Sequence, residues 1–236
     1  MKKTGWIRIL AVLLAMTAFL TLPVSAEETK KIGLVTEDGQ QHIYTTAGTL
    51  VKNVPAYKCK VNGKTNYYSI DKKGTATRLE GVKAMAAKRL VKLKAGGKKS
   101  IKNLKKAFKW SAGLNYRSNT NGSRGSKAAK YYGKYGFSTG SGDCNTAAYT
   151  FYWMAKVLGY SPKVAQGHVP NGSMSNLKSH AWVTIKFKKQ LFYFDPDLNR
   201  AYAGKTVRTA SGWVTQGKYC GFKFRYGTPG TYKYMK

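Results

Sequence analysis

The stretch from residue 140 to residue 159 constrains the chain most. Cys144, Ala148, Phe151, Ala155 and Leu158 recur at the spacing of one helix face, so this segment reads as a helix that must bury that face. Asp143 is placed to cap it, because its carboxylate can accept the free amide hydrogens of the first turn. Gly159 and Pro162 end it. Gly140-Ser141-Gly142 is a small, flexible loop that delivers Cys144 to the first turn, where the positive end of the helix dipole favours a thiolate. Further on, residues 181–187 alternate. His180, Trp182 and Thr184 face one way, and Val183, Ile185 and Phe187 the other. Residues 188–190 read as a turn and residues 191–194 as the return strand. A hairpin of that length brings His180 near Asp195, in a register set by the turn and open to a bulge.

The distribution of charge points to the same residues. The net charge is +33, yet from Gly81 onward the only acids are Asp143, Asp195 and Asp197, and all three adjoin this cysteine–histidine region. Cysteine, histidine and aspartate in that order are the ingredients of an activated thiol nucleophile. Each residue also has a plainer role open to it. Cys144 could be an inert core thiol, His180 a satisfied core histidine with His168 as the rival base, and Asp195 a turn residue before Pro196. Asp197 is the alternative to Asp195 and otherwise a cap. Trp182 reads as core. No CxxC or HxxxH spacing occurs, so a zinc site would have to take Cys144, His180 and Asp195 as ligands. Calcium needs several carboxylates together. No cofactor and no metal dependence are expected.

Residues 1–26 read as an export signal: Lys2, Lys3 and Arg8, an apolar run from residue 9 to residue 22 too short to span a bilayer comfortably, then Pro23 and the small-residue box Val24-Ser25-Ala26. No other stretch is long enough to cross a membrane, so the mature chain is expected to be secreted, extracellular or wall-associated. Its charge should draw it to polyanions such as anionic wall polymers. No nucleic-acid fingerprint is present. Three cysteines leave Cys144 free, with Cys59 and Cys220 either bridged or both unpaired.

Residues 27–80 read as β-hairpins. Asp38-Gly39 and Asn62-Gly63 are strong turn signals, with Tyr44 and Tyr68 each five residues after the glycine. Residues 81–236 form the second region. Val82, Met85, Ala86, Leu90 and Leu93 share one helical face. Ser100 caps a second helix running to Trp110, and Gly113 ends it. A tyrosine-rich segment, 131–137, leads to the cysteine loop. After the central helix, residues 164–166 read as a strand and residues 167–179 as a loop, either a lid or a connection.

The set Gly142-Asp143-Cys144-Asn145, then His180-Ala181-Trp182-Val183, then Phe194-Asp195-Pro196 resembles the bacterial transglutaminase-like domain. The resemblance covers roughly residues 81–197. It implies a papain-type α+β core, in which a cysteine-bearing helix packs on an antiparallel sheet that carries histidine and aspartate. It also implies roles: Cys144 as nucleophile, His180 as proton carrier and Asp195 as the group that orients the imidazole. The Cys144 amide would be an oxyanion donor, with Tyr116 or Trp110 as a second. The family often has threonine after the Asp-Pro pair, where this chain has Asp197. Gly63-Lys64-Thr65-Asn66-Tyr67-Tyr68 and Asp71-Lys72-Lys73-Gly74 resemble, loosely, the wall-binding repeats of Gram-positive surface proteins, without their Gly-Trp opening.

The expected function is therefore a secreted cysteine-dependent acyl-transfer enzyme, cleaving peptide or amide bonds in a peptide or protein substrate such as a wall peptide. Transglutaminase-type cross-linking and a non-catalytic wall- or polyanion-binding role are the alternatives.

Overall fold

The computed structural model describes residues 30–119, 122, 125–171, 173–187, 190–201 and 232–234. The proposed signal at residues 1–26 and Cys220 lie outside them. The chain opens with two hairpins. Strands β1 (Gly33–Glu37) and β2 (Gln40–Tyr44) form the first, and β3 (Val54–Val61) and β4 (Lys64–Ile70) the second, with β5 (Ala76–Leu79) completing a three-stranded sheet. Both turns fall on the dipeptides that announce them. Asp38 and Gly39 have φ of 48° and 73°, and Asn62 and Gly63 have 50° and 75°. Positive φ at both central residues matches the right-handed twist of the flanking strands. Ile43, Cys59, Tyr68, Ile70 and Ala76 make a small core here, and Cys59 is buried in it with no disulfide partner among the described residues. Ala56 is buried in the larger core instead, and its amide donates to the Gly96 carbonyl at 3.1 Å.

Helix α1 (Gly81–Lys92) rests on β3 and β4. Helix α2 (Ile101–Ala112) follows, capped as its sequence predicts: the Asn103 amide donates to the Ser100 hydroxyl at 3.2 Å. Replacing Ser100 with alanine removes that acceptor. Urea unfolding of the variant is expected to show a loss of about 1 kcal/mol. After the short strand β6 (Asn115–Tyr116), the tyrosine-rich run proves to be helix α3 (Ala128–Thr139). Its glycines blur the apolar period that would have revealed it. They serve the packing, since a Cβ on Gly136 would lie 2.4 Å from Thr150 Cγ2 and one on Gly133 would lie 2.5 Å from Trp153 Cδ1. Close approach to the next helix requires both to lack a side chain.

That next helix, α4 (Cys144–Val157), follows the two-residue strand β7 (Ser141–Gly142) and packs against α1, α2 and α3. Its far face meets an antiparallel sheet formed by β8 (Pro162–Asn171), β9 (Ser173–Phe187), β10 (Gln190–Phe194) and, after helix α5 (Pro196–Ala201), β11 (Tyr232–Tyr234), in the order β10-β9-β8-β11. Phe151 on α4 sits between Phe108 on α2, at 5.4 Å and edge-on, and Phe194 on β10, at 5.3 Å. Ala181, Val183 and Ile185 join this core, so the odd positions of β9 face the helix and the even positions face away. The fold is the expected α+β arrangement of a cysteine-bearing helix on an antiparallel sheet.

Residues 167–179 are a loop in the sequence reading, and the structure corrects this. The ladder continues through Gly167↔His180, His168↔Ser179, Val169↔Lys178 and Pro170↔Leu177, and turns between Asn171 and Ser173. Pro170 and Asn171 do lie at the end of the hairpin, but backbone pairing carries both strands up to it. Proline is tolerated where no neighbouring strand needs its missing N–H. Among the described residues no helix is long and apolar enough to cross a membrane.

Candidate active site

Cys144 opens α4 and is partly exposed. The Asp143 carboxylate caps the helix, accepting from the Thr146 amide at 3.0 Å and from its hydroxyl at 3.1 Å. The approach to the cysteine needs glycine. Gly142 has φ of 154°, and a Cβ there would sit 2.3 Å from Thr146 Cβ. β7 runs parallel to β6, which sets Tyr116 opposite Gly142.

On the sheet, the β9–β10 register places Phe194 opposite Val183. Asp195, one residue on, reaches diagonally to the imidazole. His180 Nε2 and Asp195 Oδ2 are 2.6 Å apart. Both residues are buried, His180 at 8% exposure and Asp195 at 0%. The second oxygen of Asp195 accepts the Leu198 amide at 2.9 Å, so one carboxylate both holds the imidazole and caps α5. The turn role that the sequence offered for Asp195 thus coexists in one side chain with its hold on the imidazole. With Nε2 held by Asp195, Nδ1 remains to meet the sulfur. The Cys144 sulfur, a His180 ring nitrogen and an Asp197 oxygen all lie within 4.8 Å of one another, and Nδ1 is 3.9 Å from Asp197 Oδ2. This is also the spacing at which a cation could be bridged, at the expense of the nucleophile. The acid in such a set would be Asp197, because Asp195 sits on the other edge of the ring.

Burial disfavours charge on His180. The charge of Asp195, its hydrogen bond and the neighbouring sulfur outweigh that effect and hold the imidazole up at about 10. The histidine is thus built to carry a proton at neutral pH.

Two further groups frame the site, and the sequence reading did not single them out. Arg200 on α5 is the first. Its guanidinium pairs with Asp197 Oδ1, donates to the Leu114 carbonyl at 3.1 Å and the Gly142 carbonyl at 3.4 Å, and lies over the Tyr116 ring at 4.8 Å. It ties the helix after Asp195 to the loop before Cys144. The i,i+3 spacing of Asp197 and Arg200 was the only sequence signal for it. Gln166 on β8 is the second, donating to Asn145 Oδ1 at 2.9 Å beside the cysteine. Tyr116, 60% exposed, flanks the cysteine loop, whereas Trp110 is engaged elsewhere, stacked on Phe137 at 5.6 Å beneath Arg89 at 4.2 Å. His168 pairs with Ser179 in the ladder, one step from the His180 pair. Replacing Arg200 with alanine should lower stability by about 1.5–3 kcal/mol in thermal unfolding. Lysine should restore little of it, because a single ammonium cannot reproduce the planar fork.

The chain matches the family model described as the transglutaminase-like superfamily over residues 85–196. No curated protein matches it. A candidate cysteine protease from Cytophaga hutchinsonii is similar in structure, with a TM-score of 0.36 and 12% identity over 65% of this chain. This chain spans 45% of that protein's length. The family match takes in the sulfur, the imidazole and the acid that holds it, and it marks residues 85–196 as a transglutaminase-like domain.

Proposed function

We propose that the protein is an exported cysteine-dependent acyl-transfer enzyme that hydrolyses peptide or amide bonds at the cell surface, with Cys144, His180 and Asp195 as its catalytic residues. The observation that supports it best is the two-sided environment of His180. Asp195 grips one ring edge at 2.6 Å, which leaves the other edge to the sulfur of a partly exposed cysteine. An imidazolium beside the sulfur stabilises the thiolate. The thiolate attacks the acyl carbon, and the Cys144 amide, at the start of α4 where the Asp143 cap is taken by Thr146, is placed to steady the oxyanion. As the C–N bond breaks, His180 gives its proton to the leaving amine, and a thioester to Cys144 remains. His180 then takes a proton from water as that water attacks the thioester, which releases the acid and restores the thiolate beside the imidazolium. Asp195 keeps the ring in one orientation throughout.

An amine in place of water would give an amide product, which is the cross-linking alternative. Incubation with wall-derived peptides and a labelled primary amine separates the two outcomes. Free carboxylate product without incorporated label is expected, and label incorporated as the main product would overturn hydrolysis.

The export signal at 1–26, the hairpin region 27–80 as a wall-binding unit and the strongly basic sequence support retention of the enzyme on anionic wall polymers. Retention on isolated walls should fall steeply as salt rises from 0.05 to about 0.5 M if charge dominates. Salt-resistant retention would instead favour ligand binding by the tyrosine hairpins. Retention unchanged by removal of Cys144, with no turnover in either protein, would favour the non-catalytic reading.

A further inference from the structure

Asp197 stands out among the acids of the site. Asp143 is committed to its helix cap, and Asp195 is committed on both oxygens, to His180 and to the Leu198 amide. Asp197 is arranged differently. Its Oδ1 is held by Arg200, which fixes the carboxylate in place, its Oδ2 lies 3.9 Å from His180 Nδ1, and one of its oxygens is within 4.8 Å of the sulfur. The side chain is partly exposed, at 16%. The Arg200 contacts to Leu114, Gly142 and Tyr116 anchor the acid to the cysteine loop itself, so its distance from the sulfur is set by a rigid strut.

A fixed carboxylate beside the nucleophile has a definite consequence for substrate choice. A substrate carboxylate placed there would meet like charge, whereas an alkylammonium would gain a charge-assisted hydrogen bond. The reach is also right: an acyl carbon in contact with the sulfur puts an amino group one or two bonds further on beside Oδ2. The surrounding basic field repels ammonium groups elsewhere on the surface, which makes a sequestered acid the place where one can dock.

We propose that Asp197 is a specificity residue whose Oδ2 receives a primary ammonium group of the substrate next to the reacting acyl carbon, a reading that rests on the acyl-transfer function above. The ammonium can belong to the acyl donor, as the free α-amino group of a peptide, or to an amine acceptor. The chemistry at Asp197 is the same for both.

The test is protection of the Cys144 sulfur from iodoacetamide, followed by mass spectrometry of the Cys144 peptide in the full chain, so that no turnover is needed. Three probes are compared: alanyl-alanine amide, its N-acetyl derivative and 1,5-diaminopentane. The free-amine dipeptide is expected to slow alkylation several-fold, the acetylated one to have little effect, and Asp197→Asn to abolish the difference. Stronger protection by the diamine than by the dipeptide assigns the ammonium to an acceptor, and the reverse assigns it to the donor. Equal protection by the free and acetylated dipeptides, or a difference that survives Asp197→Asn, overturns the proposal. If Asp197 served only as an electrostatic neighbour of the imidazolium, the variant would change the basal alkylation rate without changing the ratio between probes, and that too overturns it. Failure of the underlying enzyme reading shows separately, as Cys144 alkylation in wild type no faster than in His180→Ala, whatever the probes do.

Discussion

Replacing Cys144 with alanine is expected to lower turnover by about 10⁴-fold or more, with the fold retained. The sulfur is partly exposed at the start of α4, and removing it leaves the apolar face of that helix, from Ala148 through Phe151 and Ala155 to Leu158, in place. Circular dichroism and urea unfolding should therefore match wild type closely, while thioester formation disappears. His180→Ala should cost a similar factor, and the double variant little more, because residues that act as one unit are not additive. Cys59→Ser is the control. Its thiol lies in the separate hairpin core, and burial pushes it up, away from the thiolate. Turnover by Cys144→Ala at wild-type rates would mean that the sulfur is not the nucleophile.

The second large effect is expected at Asp195. Asparagine there removes the charge that offsets the burial of His180, so the imidazole loses its proton at lower pH. Turnover should fall by about 10⁴-fold, as when an orienting acid is lost from such a triad. In wild type the alkaline limb of the pH profile should lie near the value of about 10 that His180 holds, and in the variant it should move toward neutrality. Stability should follow the same proton. His180 is raised from an ordinary 6.5 to about 10 in the folded chain, so its contribution is complete below pH 6.5 and is lost as pH rises to about 10. Asp195→Asn should accordingly be most destabilised at about pH 5–6.5, by about 3–5 kcal/mol for a broken buried pair that also caps α5, and the gap should narrow toward pH 10. A stability difference that is the same at every pH would show that the carboxylate acts by packing alone. An alkaline limb unmoved in Asp195→Asn would separate His180 from the chemistry.

Periodicity and punctuation carried much of this architecture, because they report local physics. The 144–158 stripe, the Asp143 and Ser100 caps, the two I′ turns and the alternation of β9 each follow from backbone geometry within a few residues. Helix α3 escaped because Gly133 and Gly136 answer to α4, a partner distant in sequence, and not to helix propensity. The 167–179 segment escaped for a related reason: its turn residues were visible, but the ladder holding its strands together is a long-range pairing.

The site divides along the same line. Which residues are candidates for the chemistry was decided by the sequence itself, since a basic chain that keeps only Asp143, Asp195 and Asp197 after Gly81 has few acids to offer a cysteine and a histidine. Which acid takes which task was settled only by tertiary structure. The β9–β10 register gives Asp195 to His180 Nε2, and the Arg200 strut holds Asp197 toward Nδ1 and the sulfur. Two carboxylates two residues apart are chemically alike along the chain. Only the strand end and the short helix that carry them put one behind the imidazole and the other before it.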